Sequence, residues 1–143
     1  MKKLIGITGI FAIGMLFSIG ANAQMQNVWI GGTPGRPADW DIASNWSLQR
    51  TPDVFHDVVI PNTSTSTFSY PVIAGNAEIN SLRIESGARL VILETGHLSL
   101  LRPGTMEEAL ANKGTLENRS RNFIEFDSSV YQEGKGSLAA KKQ

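Results

Sequence analysis

The chain has 143 residues, of which 41% are apolar, with 13 basic against 13 acidic side chains. This balance supplies no basic stripe for nucleic acid, and the lack of any cysteine excludes a disulfide framework and thiolate metal sites. About 120 residues remain beyond an amino-terminal leader, enough for one domain.

Lys2 and Lys3 open the chain, and Leu4 to Gly20 is uncharged and mostly apolar. Ala21-Asn22-Ala23 then puts small residues where a signal peptidase reads. Residues 1–23 therefore read as a cleaved secretory signal peptide. The alternative is a membrane span, but the apolar run sits at the short limit for one and no basic stop-transfer cluster follows. The sequence predicts export to the periplasm or the cell surface of a Gram-negative bacterium. Membrane contact is expected only through the cleaved segment.

Residues 24–53 read as a Trp- and Gly-rich cap. They carry Trp29-Ile30-Gly31-Gly32, Asp39-Trp40-Asp41 and Asn45-Trp46-Ser47, with loop-forming Gly and Pro between 31 and 37. Residues 54–143 read as β-rungs. Val58-Val59-Ile60 is β-branched, stops at Pro61 and is the first clear strand. A Ser/Thr loop follows from Asn62 to Ser69, then an apolar piece at Tyr70-Pro71-Val72-Ile73 and a turn at Gly75-Asn76. From Ser81, period two puts Leu82, Ile84, Leu90, Ile92, Leu98 and Leu100 on one face. Thr105 to Ala111 is the one helix-prone stretch, with Thr105 and Glu108 spaced as a capping box. Asn122 to Phe126 is a further strand with Ile124 and Phe126 inward. Lys135 to Gln143 is expected to carry a last rung.

A short beat, Gly-x-Leu, recurs at Gly96-His97-Leu98, Gly114-Thr115-Leu116 and Gly136-Ser137-Leu138. Its spacing lies in the range of one coil of a β-solenoid. This predicts that Leu98, Leu116 and Leu138 stack on one another, with each glycine taking a positive φ at a corner. The predicted fold is all-β, a short right-handed parallel β-helix. A β-sandwich is the alternative and would instead pair Leu82 antiparallel with Leu90. The chain stops within a few residues of Leu138, so it is expected to be a piece of a longer protein. The alternative is that Lys141 and Lys142 guard an open rung that would otherwise self-associate.

The series Trp29-Ile30-Gly31-Gly32, Asp39-Trp40, Asn45-Trp46, Thr51-Pro52, Asp57-Val58-Val59-Ile60-Pro61, Tyr70-Pro71-Val72 and Ile79 to Ala88 resembles the amino-terminal module of secreted bacterial parallel β-helix proteins. These are large surface or adhesin-like proteins, often exported through the type IX route. The likeness spans Val28 to Glu117, with His56 standing where the family usually has glycine. It implies a non-catalytic structural or adhesive protein whose partners are a glycan or a cell-surface protein.

No catalytic constellation is recognisable. Gly-x-Ser-x-Gly and His-Glu-x-x-His are both missing, and His56 and His97 lack carboxylates at ligand spacing. Arg83, Arg89, Glu117 and Glu125 would serve a polysaccharide lyase, but they read first as a solvated face. An inactive fragment of a polysaccharide-active β-helix enzyme therefore stays as an alternative. No cofactor is expected. Asp39, Asp41, Asp53 and Asp57 offer oxygen atoms to calcium, although aspartates in such loops more often cap their own turns. Trp29, Trp40 and Trp46 are the candidate ligand-binding residues, as a sugar-stacking platform of a carbohydrate-binding module. The competing role for them is a plug over the open end of the core.

Overall fold

The computed structural model describes residues 24–63 and 69–127, so the signal peptide expected at residues 1–23 and the rung expected at Lys135–Gln143 lie outside the described residues. The described residues form ten short strands: β1 (Met25–Val28), β2 (His56–Ile60), β3 (Val72–Ile73), β4 (Asn76–Ile79), β5 (Ser81–Ile84), β6 (Arg89–Ile92), β7 (His97–Leu100), β8 (Leu110–Asn112), β9 (Thr115–Asn118) and β10 (Glu125–Phe126). A single-turn helix, α1 (Met106–Ala109), lies between β7 and β8, and a 3-10 turn spans Ala43–Asn45. Thr105 and Glu108 form the reciprocal capping box expected of α1, and Ala109 anchors the turn in the core.

Among the described residues all the strand pairs are parallel. They make three small sheets, ordered β1-β2-β5-β8, β3-β6-β9 and β4-β7-β10. From β2 onward the chain visits the three sheets in rotation, and each strand pairs with the one three places later. Leu82 pairs with Val58 on one side and Leu110 on the other, and Leu90 pairs with Leu116. Among the described residues there is no antiparallel pairing of Leu82 with Leu90. The fold is all-β and built of parallel sheets.

The alternation from Ser81 sends Leu82, Ile84, Leu90, Ile92, Leu98 and Leu100 into one core, where none is more than 1% exposed. Full burial of such a side chain contributes about 1.5–3 kcal/mol, so these residues dominate the stability of the middle strands. Two strands met here were read from the sequence as something else. β1 falls in the segment taken as loop, and it joins the four-stranded sheet by pairing Asn27 with Val58. Ile79 to Ile84 is not one strand but two, β4 and β5, turned at Asn80. That corner is stitched to the strand before it, because Asn80 Nδ2 and Ser81 Oγ both donate to Asp57 Oδ1, at 2.6 and 2.5 Å.

The Gly-x-Leu beat has a different cause from the one its spacing suggests. Leu98 pairs with Ala77 in one sheet and Leu116 with Leu90 in another, so the two leucines do not stack. Gly96 and Gly114 do not take a positive φ either. Instead, each lies where a corner presses on the preceding chain. A Cβ on Gly114 would sit 2.5 Å from the carbonyl oxygens of both Ala88 and Glu85, and one on Gly96 would sit 2.5 Å from Ile73 O. The beat therefore marks close backbone approach at corners of different sheets, not one column of the core. The third copy, at Leu138, lies outside the described residues.

Candidate functional site

The candidate ligand-binding tryptophans come together at the β1 end of the four-stranded sheet. β1 runs into Trp29, which bridges antiparallel to Trp46, and the 3-10 turn at Ala43–Asn45 delivers Trp46 between the other two indoles. The Trp29 and Trp46 rings lie 4.9 Å apart at 79°, and Trp40 and Trp46 lie 4.7 Å apart at 76°. These edge-to-face contacts contribute about 0.5–1.5 kcal/mol each beyond the area they bury. Trp29 Nε1 donates to Ser69 O at 2.9 Å, and Trp46 Nε1 donates to Trp40 O at 2.8 Å. Trp40 Nε1 is buried and has no hydrogen-bond partner among the described residues. All three indoles are buried to within 1% of full burial. The large aromatic surface that water reaches belongs to Phe55 and Phe123 instead.

Two asparagines hold this cluster shut, and sequence reasoning passed over both. Asn45 is fully buried. Its Nδ2 donates to the carbonyls of Arg36 and Asp39, and its Oδ1 accepts from Thr33 N, all at 2.9 Å. Its backbone carbonyl accepts from Ile30 N and Gly31 N. Asn27, also fully buried, donates to Arg50 O at 2.9 Å and accepts from Leu48 N at 3.3 Å. Ser47 completes the closure: its N–H donates to Val28 O, and its Oγ accepts from Val28 N. Ser47 thus occupies the outer edge of β1 at its Val28 end, where a foreign strand would otherwise pair. The available signal was that both asparagines directly precede or nearly precede a tryptophan, at Asn45-Trp46 and Asn27-Val28-Trp29.

The other candidates are scattered over the molecule. His56 is buried beside Asp53, with Nδ1 2.7 Å from Asp53 Oδ1. His97 belongs to a different sheet, on β7, where Nε2 is 3.2 Å from Ser99 Oγ and 3.3 Å from Glu125 Oε2. Serine and carboxylate meet the same ring nitrogen there, whereas a nucleophilic triad needs them on opposite nitrogens. Arg83 pairs with Glu85 at 2.9 Å, and Arg89 and Arg119 both clasp Glu117. The Arg119 hydrogen bond, followed by that of Arg89, holds the Glu117 carboxyl below the usual carboxylate range. The backbone and side chain of Thr105 do the same for Glu108.

The four aspartates considered for calcium do not converge. Asp39 takes Arg36 and the backbone N–H of Asp41, Asp53 takes Phe55 N, and Asp57 takes Asn80, Ser81 and Arg102. Among the described residues no three His, Asp or Glu side chains are grouped as a metal site. No helix of the described residues is long and apolar enough to cross a membrane.

No family model matches the chain, and no solved structure matches it. The minor fimbrium subunit Mfa5 of Porphyromonas gingivalis is similar to it, at 29% identity over 104 residues. That stretch takes in 68% of this chain and 8% of the fimbrium subunit, so the chain spans a small part of the relative it matches.

Proposed function

We propose that this chain is a structural, non-catalytic module of an exported bacterial surface protein, wound as a right-handed parallel β-helix and closed at its first strand by the tryptophan cap. The observation that carries this reading is the rotation of the chain through three parallel sheets over one shared leucine and isoleucine core. A right-handed sense is what parallel crossover connections adopt. The likeness to a minor fimbrium subunit supports a place at the cell surface and an adhesin-like role. Burial of Trp29, Trp40 and Trp46 supports a plug over the core rather than a sugar platform, since stacking on a sugar needs an indole face in water. The module binds no cofactor, and its work is to hold shape and present its outer faces to a partner, a glycan or another surface protein.

The test is labelling of intact cells of the producing organism with antibodies raised against residues 24–127. Labelling before permeabilisation, lost after brief protease treatment of the cells, is the expected result. Signal that appears only once the envelope is opened would overturn the surface assignment. Turnover of a uronic-acid polymer, abolished by Arg89→Ala, would overturn the non-catalytic one.

A further inference from the structure

We infer that the loop from β9 to β10 carries a subsite for one acidic sugar, a ring bearing a carboxylate, with the Phe123 ring as its stacking face and the Arg121 guanidinium as the partner of that carboxylate. The inference rests on the reading above, that the module presents its outer faces to a partner, and it names the chemistry of that partner. Residues 121–126 line a cleft of about 410 Å³, within the size range of ligand pockets. Period two divides the segment. Ile124 and Phe126 are half-buried against the core, whereas Phe123 and Glu125 alternate with them and are exposed, Phe123 at 72%. A phenyl face left in water beside a cleft is free to stack on the C–H face of a sugar, which the three buried indoles are not.

Charge selects an acidic ligand. Seven arginines lie among the described residues; six of them pair with a carboxylate there, and Arg121 does not. Glu125 does not serve as its counter-ion, because His97 Nε2 holds that carboxylate at 3.3 Å. An unpaired guanidinium meets a carboxylate through two parallel N–H donors and so fixes the orientation of the ring that carries it. Between Arg121 and Phe123, Asn122 spends its backbone N–H and carbonyl within the loop, which leaves its side-chain amide for a sugar hydroxyl. The loop is already ordered by its own contacts. Asn118 Oδ1 accepts from Ser120 N and Ser120 Oγ at 2.9 and 2.7 Å, and Asn118 Nδ2 donates to Asn122 O at 2.9 Å. Arg119 N donates to Ile92 O at 2.8 Å. Little ordering therefore remains to weaken binding. The other exposed ring, Phe55, sits beside a carboxylate instead, since Asp53 Oδ1 accepts from Phe55 N, and this disfavours an acidic ligand there.

The test is a titration of the isotope-labelled full chain, followed by amide and aromatic proton shifts, with methyl glucuronide, methyl glucoside, acetate and a triglutamate peptide. Methyl glucuronide is expected to shift the amides of residues 121–126 and the Phe123 ring, with a Kd on the order of 1 mM, as suits one ring in an open cleft. Methyl glucoside, which lacks the carboxylate, should bind about tenfold more weakly or worse. Arg121→Ala and Phe123→Ala should each weaken methyl glucuronide by about tenfold, with Arg121→Lys in between because an ammonium is a point charge rather than a fork. Both side chains are exposed, so the amides of Leu82 and Leu90 should keep their shifts in every variant and report an intact core. No shift with either sugar, or equal binding of the glucoside, overturns the subsite. Acetate that matches methyl glucuronide, with Phe123→Ala weakening neither, reduces the site to a bare anion contact and overturns it as well. Tighter binding of the triglutamate peptide makes the partner an acidic protein and overturns the sugar. None of these failures alters the labelling of intact cells, so the structural-module reading stands or falls separately.

Discussion

The first-strand end and the last-strand end of the sheets treat the same physical problem differently. Along the middle, every inward Leu or Ile is covered by its neighbour in the next strand, so repetition alone completes the core. At either end there is no next strand among the described residues. The first-strand end meets this with residues that do not repeat: three indoles supply apolar area, and Asn27 and Asn45 satisfy the loop backbone laid over them. At the last-strand end Leu110, Leu116, Ile124 and Phe126 remain half-buried, and Phe123 is 72% exposed. Repeated parallel pairing thus specifies the middle strands with little dedicated sequence, whereas the first-strand end uses residues of its own.

The largest test of this contrast is Trp46→Ala. It removes the ring shared by both edge-to-face contacts and leaves a large cavity, so a loss of about 3–5 kcal/mol is expected in urea unfolding. A loss under 1 kcal/mol would mean that the cap is an ornament on a core that is stable without it. Next is Asn45→Ala, which removes the hydrogen bonds of a fully buried amide to Arg36 O, Asp39 O and Thr33 N and is expected to cost about 1–3 kcal/mol. The same variant should speed amide exchange at Ile30 and Gly31, whose N–H groups rest on the Asn45 carbonyl.

At the other end, Leu110→Ala is expected to cost about 1 kcal/mol, because a half-buried side chain loses only part of its transfer free energy. Leu82→Ala, one strand deeper in the same column, should cost about 2–5 kcal/mol. Equal losses would remove the distinction between a covered and an uncovered position.

The smallest effect concerns acid. Glu117 and Glu108 both lie toward the last-strand end, and both have folded-state pKa values below the ordinary 4.5. A depressed carboxylate stabilises above its unfolded pKa and loses that contribution as pH falls through the lower folded value. Stability should therefore slip modestly below pH 4.5, first in the strands around β9, with salt reducing the effect because both groups are at the surface. Glu117→Gln should flatten part of that dependence in unfolding midpoints measured across the acid range.

Much of the core was legible because period two survives in it. Leu82 and Ile84, Leu90 and Ile92, and Leu98 and Leu100 declare their inward face locally, and Thr105 with Glu108 declares a helix start. What resisted reading is what depends on distant chain. β1 has the sequence Met-Gln-Asn-Val, whose inward residue is a polar Asn27, and only the loop at 47–50 explains that choice. The corner at Asn80 was hidden because no glycine or proline marks it and the side chain that stitches it, Asp57, is distant in sequence. The Gly-x-Leu beat misled for a related reason. Gly96 and Gly114 answer to carbonyls of Ile73, Glu85 and Ala88, none of them near in sequence. For the tryptophans, sequence left two roles open, because aromatic composition is the same for a plug and for a platform.

Cross-strand proton contacts in an isotope-labelled sample reach the winding most directly. The account predicts that Leu82 amide and α-proton contacts run to both Val58 and Leu110 in parallel register, and that those of Val91 run to Val72 on one flank and Glu117 on the other. Contacts instead joining Leu82 to Leu90 as an antiparallel pair would contradict it.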